Sequence, residues 1–168
     1  MKTLYLMRHA KSSWEDFSLP DFDRPLNKRG KRDAPFMGKK LYNRTIFPDL
    51  ILSSSAKRAK ITAKIVANEL GNYTKENLQF TDTIYDADTE NLIEIISQQD
   101  DKLGSLLLFG HNPSFTALAN QLSDYHIYNI PTSGIVGISF KINSWKKIAA
   151  KKGKMLFFDY PKRYGEEL

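Results

Sequence analysis

The run Leu106-Leu107-Leu108-Phe109 is apolar at four successive positions and stops at Gly110-His111-Asn112-Pro113. A strand with one wet face alternates apolar and polar residues, whereas an unbroken apolar run is buried on both faces and belongs inside a parallel sheet. Two other stretches share this form. Thr3 to Met7 gives way to Arg8-His9-Ala10-Lys11-Ser12, and Asp49-Leu50-Ile51-Leu52 gives way to Ser53-Ser54-Ser55-Ala56-Lys57-Arg58. Each reads as a short strand that changes abruptly into residues able to bind anions.

Segments of helical period lie between these strands. Gly30, Ala34, Met37, Gly38 and Leu41 share one face of a helix predicted over about 27–43. Ala59, Ala63, Val66, Ala67 and Leu70 do the same over 56–70, where Gly71 supplies a stop. A weak strand at 78–80 precedes a helix over about 90–99. Pro113 suits the first turn of a helix carrying Phe115, Leu118, Ala119 and Leu122. Strands over about 136–142 and 155–160 close the chain. The alternation predicts an α/β fold in three layers, a mostly parallel central sheet with helices on both faces. With 168 residues, no repeat and no linker-like stretch, one domain over 1–168 is expected.

Composition removes several classes of function. The absence of cysteine excludes disulfide scaffolds, thiolate zinc sites, iron–sulfur clusters and thiol catalysis. Three histidines, His9, His111 and His126, make a poor basis for a histidine-rich metal centre. The apolar opening 1–7 is too short for a secretory signal, and no run approaches the roughly 20 apolar residues of a membrane span. A cytoplasmic protein without a membrane partner is expected. The net charge of +6 points to an anionic partner. Lys28, Arg29, Lys31, Arg32, Lys39 and Lys40 lie largely off the apolar face of their helix and read as solvated basic surface. No aromatic-basic nucleic-acid motif accompanies them, so no nucleic-acid partner is expected.

In open α/β sheets, ligands bind at the carboxyl ends of the parallel strands, so the three polar loops should converge. Convergence gathers Arg8, His9, Arg58 and His111 into a pocket suited to a dianionic phosphoryl group. Arginine offers a planar, permanently charged fork for phosphate oxygens. A histidine with one nitrogen held as a donor presents the other as a nucleophile. Side chains supply all the positive charge, so neither metal nor cofactor is implied.

At these positions the chain resembles a known family. Arg8-His9-Ala10 is similar to the Arg-His-Gly signature of the histidine phosphatase superfamily, which has the phosphoglycerate mutase-like fold. Ser53-Ser54-Ser55-Ala56-Lys57-Arg58-Ala59 resembles its Ser-Pro-x-x-Arg-Ala motif, with Ser54 read opposite the proline, and Gly110-His111 resembles its late histidine. Chain length, Asp23-Arg24-Pro25-Leu26-Asn27-Lys28-Arg29-Gly30, Gly110-His111-Asn112-Pro113 and Pro131-Thr132-Ser133-Gly134 are similar to the small SixA-like phosphohistidine phosphatases. The resemblance implies that His9 forms a transient phosphohistidine while Arg8, Arg58 and His111 clamp the phosphoryl oxygens. Ala10 adds a methyl where the family has glycine.

Larger relatives protonate an alkoxide leaving group with a carboxylic acid. The acidic residues between Arg58 and His111 include Asp82, Asp86, Asp88, Glu90 and Glu94, none in a clear acid motif, with Asp86 or Asp88 the candidate. The shortage of an acid favours phosphohistidine, whose imidazole leaves readily, over ordinary esters. Lys11, Ser12 and Arg24 are candidate phosphate contacts at the rim, Arg24 equally a loop anchor. The function expected is hydrolysis of phosphohistidine on a phosphotransfer or phosphocarrier protein, a step in signal transduction. The alternatives are a small-molecule phosphomonoester phosphatase and a non-catalytic basic binding module.

Overall fold

The computed structural model describes residues 1–71, 73–149 and 152–167. Six strands form one sheet: β1 (Lys2–Arg8), β2 (Leu50–Ser54), β3 (Leu78–Thr81), β4 (Ser105–Gly110), β5 (Ile135–Phe140) and β6 (Lys154–Asp159). Their order is β3-β2-β4-β1-β5-β6. The helices are α1 (Lys28–Asn43), α2 (Lys57–Leu70), α3 (Thr89–Ser97) and α4 (Ser114–Leu122). No helix among the described residues is long and apolar enough to cross a membrane.

The unbroken apolar runs feed two cores, one on each side of the sheet. Leu106 and Leu108 join Leu4, Leu6 and Leu52 against Leu92 and Ile96 of α3 and Phe115 and Leu118 of α4. Leu107 and Phe109 join Met7 and Ile51 against Met37 and Leu41 of α1 and Val66 and Leu70 of α2. The helix starts are set locally. Asn27 accepts from the Gly30 N–H to open α1, and Asp88 and Asn91 form a reciprocal cap at α3.

β1, β2, β3 and β4 are mutually parallel through the pairs β1–β4, β2–β4 and β2–β3. β5 runs antiparallel to β1, and β6 antiparallel to β5. The sheet is therefore mostly parallel, as the alternation implies. Strand edges fall within two residues of expectation. Asp49 lies outside β2, its carboxylate accepting from the Gly104 and Ser105 N–H groups at 2.7 and 3.0 Å.

Register brings the ends of three central strands level. Arg8 lies opposite Gly110, and Ser53 opposite Phe109. Two glycines keep this end compact. A Cβ on Gly110 would sit 2.4 Å from the buried Phe115 ring. A Cβ on Gly30 would sit 2.2 Å from the Lys11 carbonyl oxygen, so only glycine lets α1 begin against the loop that follows His9.

Candidate active site

His9 follows β1 and is buried. Its Nδ1 lies 2.7 Å from the Ala10 carbonyl oxygen, which can only accept, so Nδ1 carries the proton and Nε2 keeps its lone pair. Burial pushes the His9 pKa down to about 3; the Ala10 bond opposes this, and the charges of His111, Arg58 and Arg8 add to it. The imidazole is neutral at pH 7.

Arg58, in the first turn of α2, aims its Nε–H at His9 Nε2 from 3.4 Å. Its Nη1 and Nη2 donate to the carbonyl and the Oδ2 of Asp21 at 2.7 and 3.0 Å. Thr62, one turn further along α2, accepts from the Ala10 N–H at 3.0 Å and donates to the Arg58 carbonyl at 2.7 Å. This hydroxyl ties the loop of the histidine to the helix of the arginine.

His111 leaves β4 with its ring centroid 5.2 Å from that of His9. Its Nε2 lies 2.8 Å from Ser54 Oγ. That oxygen also accepts from the Ala56 N–H. Burial, chiefly, and the charges of Arg58 and Arg8 lower the His111 pKa to about 4, with Asp21 opposing them. Counting back from Arg58 corrects the motif register by one residue. Ser54 is the motif serine, four positions before Arg58, and Ser55 stands where the family carries proline.

Arg8 donates from Nη1 to the Ile130 carbonyl at 3.2 Å. Burial and the nearby Arg58 charge both lower its pKa, the sign of a cation facing another cation. Among the described residues, the buried side-chain polar atoms without a partner are Arg8 Nε, His111 Nδ1 and Ser133 Oγ. Two of them belong to the convergent set, and Ser133 sits beneath it, its N–H shared between the Arg8 and His9 carbonyls. Ser133 also has a φ of 61°, a left-handed conformation rare for serine. Buried polar atoms left unpaired on the residues of one site suit a ligand rich in oxygens.

The remaining candidates are placed as follows. Lys11 accepts from the Asn27 N–H through its carbonyl, and Ser12 is buried with its backbone bridged to Leu26. Arg24 directs Nε at Asp21 Oδ1 from 3.2 Å, reaches the Ser13 carbonyl at 3.5 Å and stacks on Trp14. Asp86 is exposed and, with Tyr85 and His111, lines a cleft of about 440 Å³. Asp88 is spent on the cap of α3. Ala10 is fully buried, its methyl in an apolar cluster with Leu26 and Ala34. Among the described residues, no group of three or more His, Asp or Glu side chains is arranged to hold a metal ion.

Sequence reasoning assigned no role to Asp21, Thr62, Tyr85 or Ser133. Tyr85 donates to Asp21 Oδ2 and sets its ring edge-on to His111, centroids 5.5 Å apart. The sequence signal for Asp21 was its place beside Asp23-Arg24-Pro25, a segment quoted above only for its resemblance.

Residues 4–103 match the family model described as histidine phosphatase superfamily, branch 1. An uncharacterised chloroplastic protein of Arabidopsis thaliana is 34% identical over 159 residues, 90% of this chain and 72% of that protein. A crystal structure provisionally assigned as the phosphohistidine phosphatase SixA of Agrobacterium tumefaciens superposes with a TM-score of 0.81 at 27% identity, covering 95% of this chain and 98% of that one. A protein histidine phosphatase SixA complexed with tungstate shares the fold at 18% identity and a TM-score of 0.81, covering 96% and 99%.

Proposed function

Because the chain belongs to the histidine phosphatase superfamily, we propose that it hydrolyses phosphohistidine on a phosphotransfer or phosphocarrier protein. One contrast carries this reading: His9 is a neutral nucleophile, and Asp21, the carboxylate bonded into the site, holds no proton to give. Burial would raise the Asp21 pKa, but hydrogen bonds from Tyr85 and Arg58 and the charges of Arg58 and Arg24 bring it to about 2. An alkoxide leaving group needs a proton donor. Phosphohistidine that carries a proton on its second ring nitrogen brings that proton with it, and its ring departs as neutral imidazole. Likeness to the Agrobacterium structure supports the same substrate class.

Nε2 of His9 attacks phosphorus in line on a substrate ring protonated at its other nitrogen, and the P–N bond breaks with its electron pair going to the departing nitrogen, so that neutral imidazole leaves. Arg8, Arg58 and His111 bind the equatorial oxygens, where charge is spread in the transition state. Phospho-His9 retains its Nδ1–H on the Ala10 carbonyl and is therefore an imidazolium, a good leaving group. Water then attacks phosphorus, His9 recovers the bonding pair, and both water hydrogens leave on dihydrogen phosphate.

The second reading is a phosphatase for small phosphomonoesters, favoured by the cleft that Asp86 and His111 both line. Phosphate release separates the two, measured on a histidine-phosphorylated carrier protein and on an aryl phosphate with wild type, His9→Ala and Asp86→Asn. The expected pattern is fast release from the carrier, slow release from the aryl phosphate, loss of both in His9→Ala, and indifference to Asp86→Asn. Fast aryl phosphate turnover that collapses in Asp86→Asn establishes the small-ester reading. Turnover of neither substrate leaves the basic binding module.

A further inference from the structure

We propose that Asp21 is the positioning residue of Arg58, capturing its two terminal nitrogens and thereby turning the Nε–H edge of the guanidinium toward the phosphoryl position at His9. Asp21 begins a three-residue 3-10 turn, Asp21–Asp23, in the loop between β1 and α1. Its carbonyl takes Nη1 at 2.7 Å and its Oδ2 takes Nη2 at 3.0 Å. A guanidinium is planar, with five N–H bonds in fixed directions. Holding both Nη atoms therefore fixes the plane and aims Nε–H at His9 Nε2. The second N–H of Nη2 lies parallel to Nε–H on that same edge, which completes a two-pronged donor for phosphoryl oxygens.

Asp21 is itself held. Oδ2 also accepts from the Tyr85 hydroxyl, and Oδ1 accepts from Arg24, whose guanidinium is stacked 3.5 Å from the centre of the Trp14 ring. The Tyr85 ring meets both His111, edge-on, and Arg58, at 5.9 Å. One carboxylate thus joins the loop after β1, the start of α2 and the turn after β3, and reaches the wall of His111. The side chain is half exposed, so its removal opens no core cavity.

The opposite role for the same ion pair is competition, the carboxylate occupying Arg58 until a phosphoryl group displaces it. The two roles predict opposite signs. The proposal rests on the site being a phosphoryl pocket, and not on a preference for phosphohistidine. Orthovanadate affinity is the test, in wild type, Asp21→Ala, Asp21→Asn and Tyr85→Phe. Positioning predicts that Asp21→Ala weakens orthovanadate about 10- to 100-fold. Asp21→Asn, which keeps an oxygen for Nη2, returns to within about threefold of wild type, and Tyr85→Phe weakens binding about threefold. Equal or tighter binding by Asp21→Ala overturns the proposal, as does Asp21→Asn binding no better than Asp21→Ala. If Asp21→Ala does not fold, unchanged affinity in Tyr85→Phe overturns it. Failure of wild type to bind orthovanadate refutes the phosphoryl pocket first, and the proposal falls with it.

Discussion

The Nε–H of Arg58 points at Nε2 of His9 across 3.4 Å, while the far nitrogen of that imidazole is pinned to the Ala10 carbonyl at 2.7 Å. The histidine is thereby held neutral, in one tautomer, with its lone pair facing a cation. Protonating Nε2 would set two positive charges against each other in a buried pocket, which burial already disfavours.

Both histidines have folded pKa values, about 3 for His9 and about 4 for His111, below the usual 6.5. Between those limits the unfolded chain binds more protons than the folded one, so stability falls as pH is lowered through 6.5. Urea unfolding at pH 7.5 and pH 5 should show wild type losing stability and a His9→Asn, His111→Asn double variant losing less. Asp21 does not interfere, since its contribution is lost only below about pH 4. Equal losses in the two proteins would contradict the buried neutral pair.

Ser54→Ala removes the hydroxyl hydrogen-bonded to His111 Nε2 at 2.8 Å. The ring should then populate both tautomers, and kcat/KM should fall about 5- to 10-fold, the rate equivalent of one hydrogen bond. Nitrogen-15 shifts of His111 report the tautomer directly. A spectrum indistinguishable from wild type would show that Ser54 does not set it.

Thr62→Val keeps the shape of a fully buried side chain but leaves the Ala10 N–H without an acceptor. The expected cost is about 1–3 kcal/mol in chemical denaturation. Activity should fall with it, because Ala10 carries the carbonyl that orients His9. A change under about 0.5 kcal/mol would mean that the loop finds another partner.

Much of the fold was legible because burial on both faces leaves a plain mark. Leu106 to Phe109 has no polar position to spare, and the face of α1 carrying Ala34, Met37 and Leu41 repeats at helical spacing. The four convergent residues stood out because each follows such a run within a few positions. Strand direction for β5 and β6 was not legible, since an apolar run reads the same in either sense.

Hydrophobic period and chain order are local properties, and they specify the layered α/β architecture and the groups carried at the strand ends. The chemical state of those groups is set by contacts made in three dimensions. Arg58 meets Asp21 across 37 positions, and Asp21 meets Tyr85 across 64. His9 owes its tautomer to the angle of one neighbouring carbonyl, and its neutrality to burial among Arg8, Arg58 and His111. Hydrogen bonds and desolvation act over a few ångströms of space, and separation along the chain carries no record of those distances.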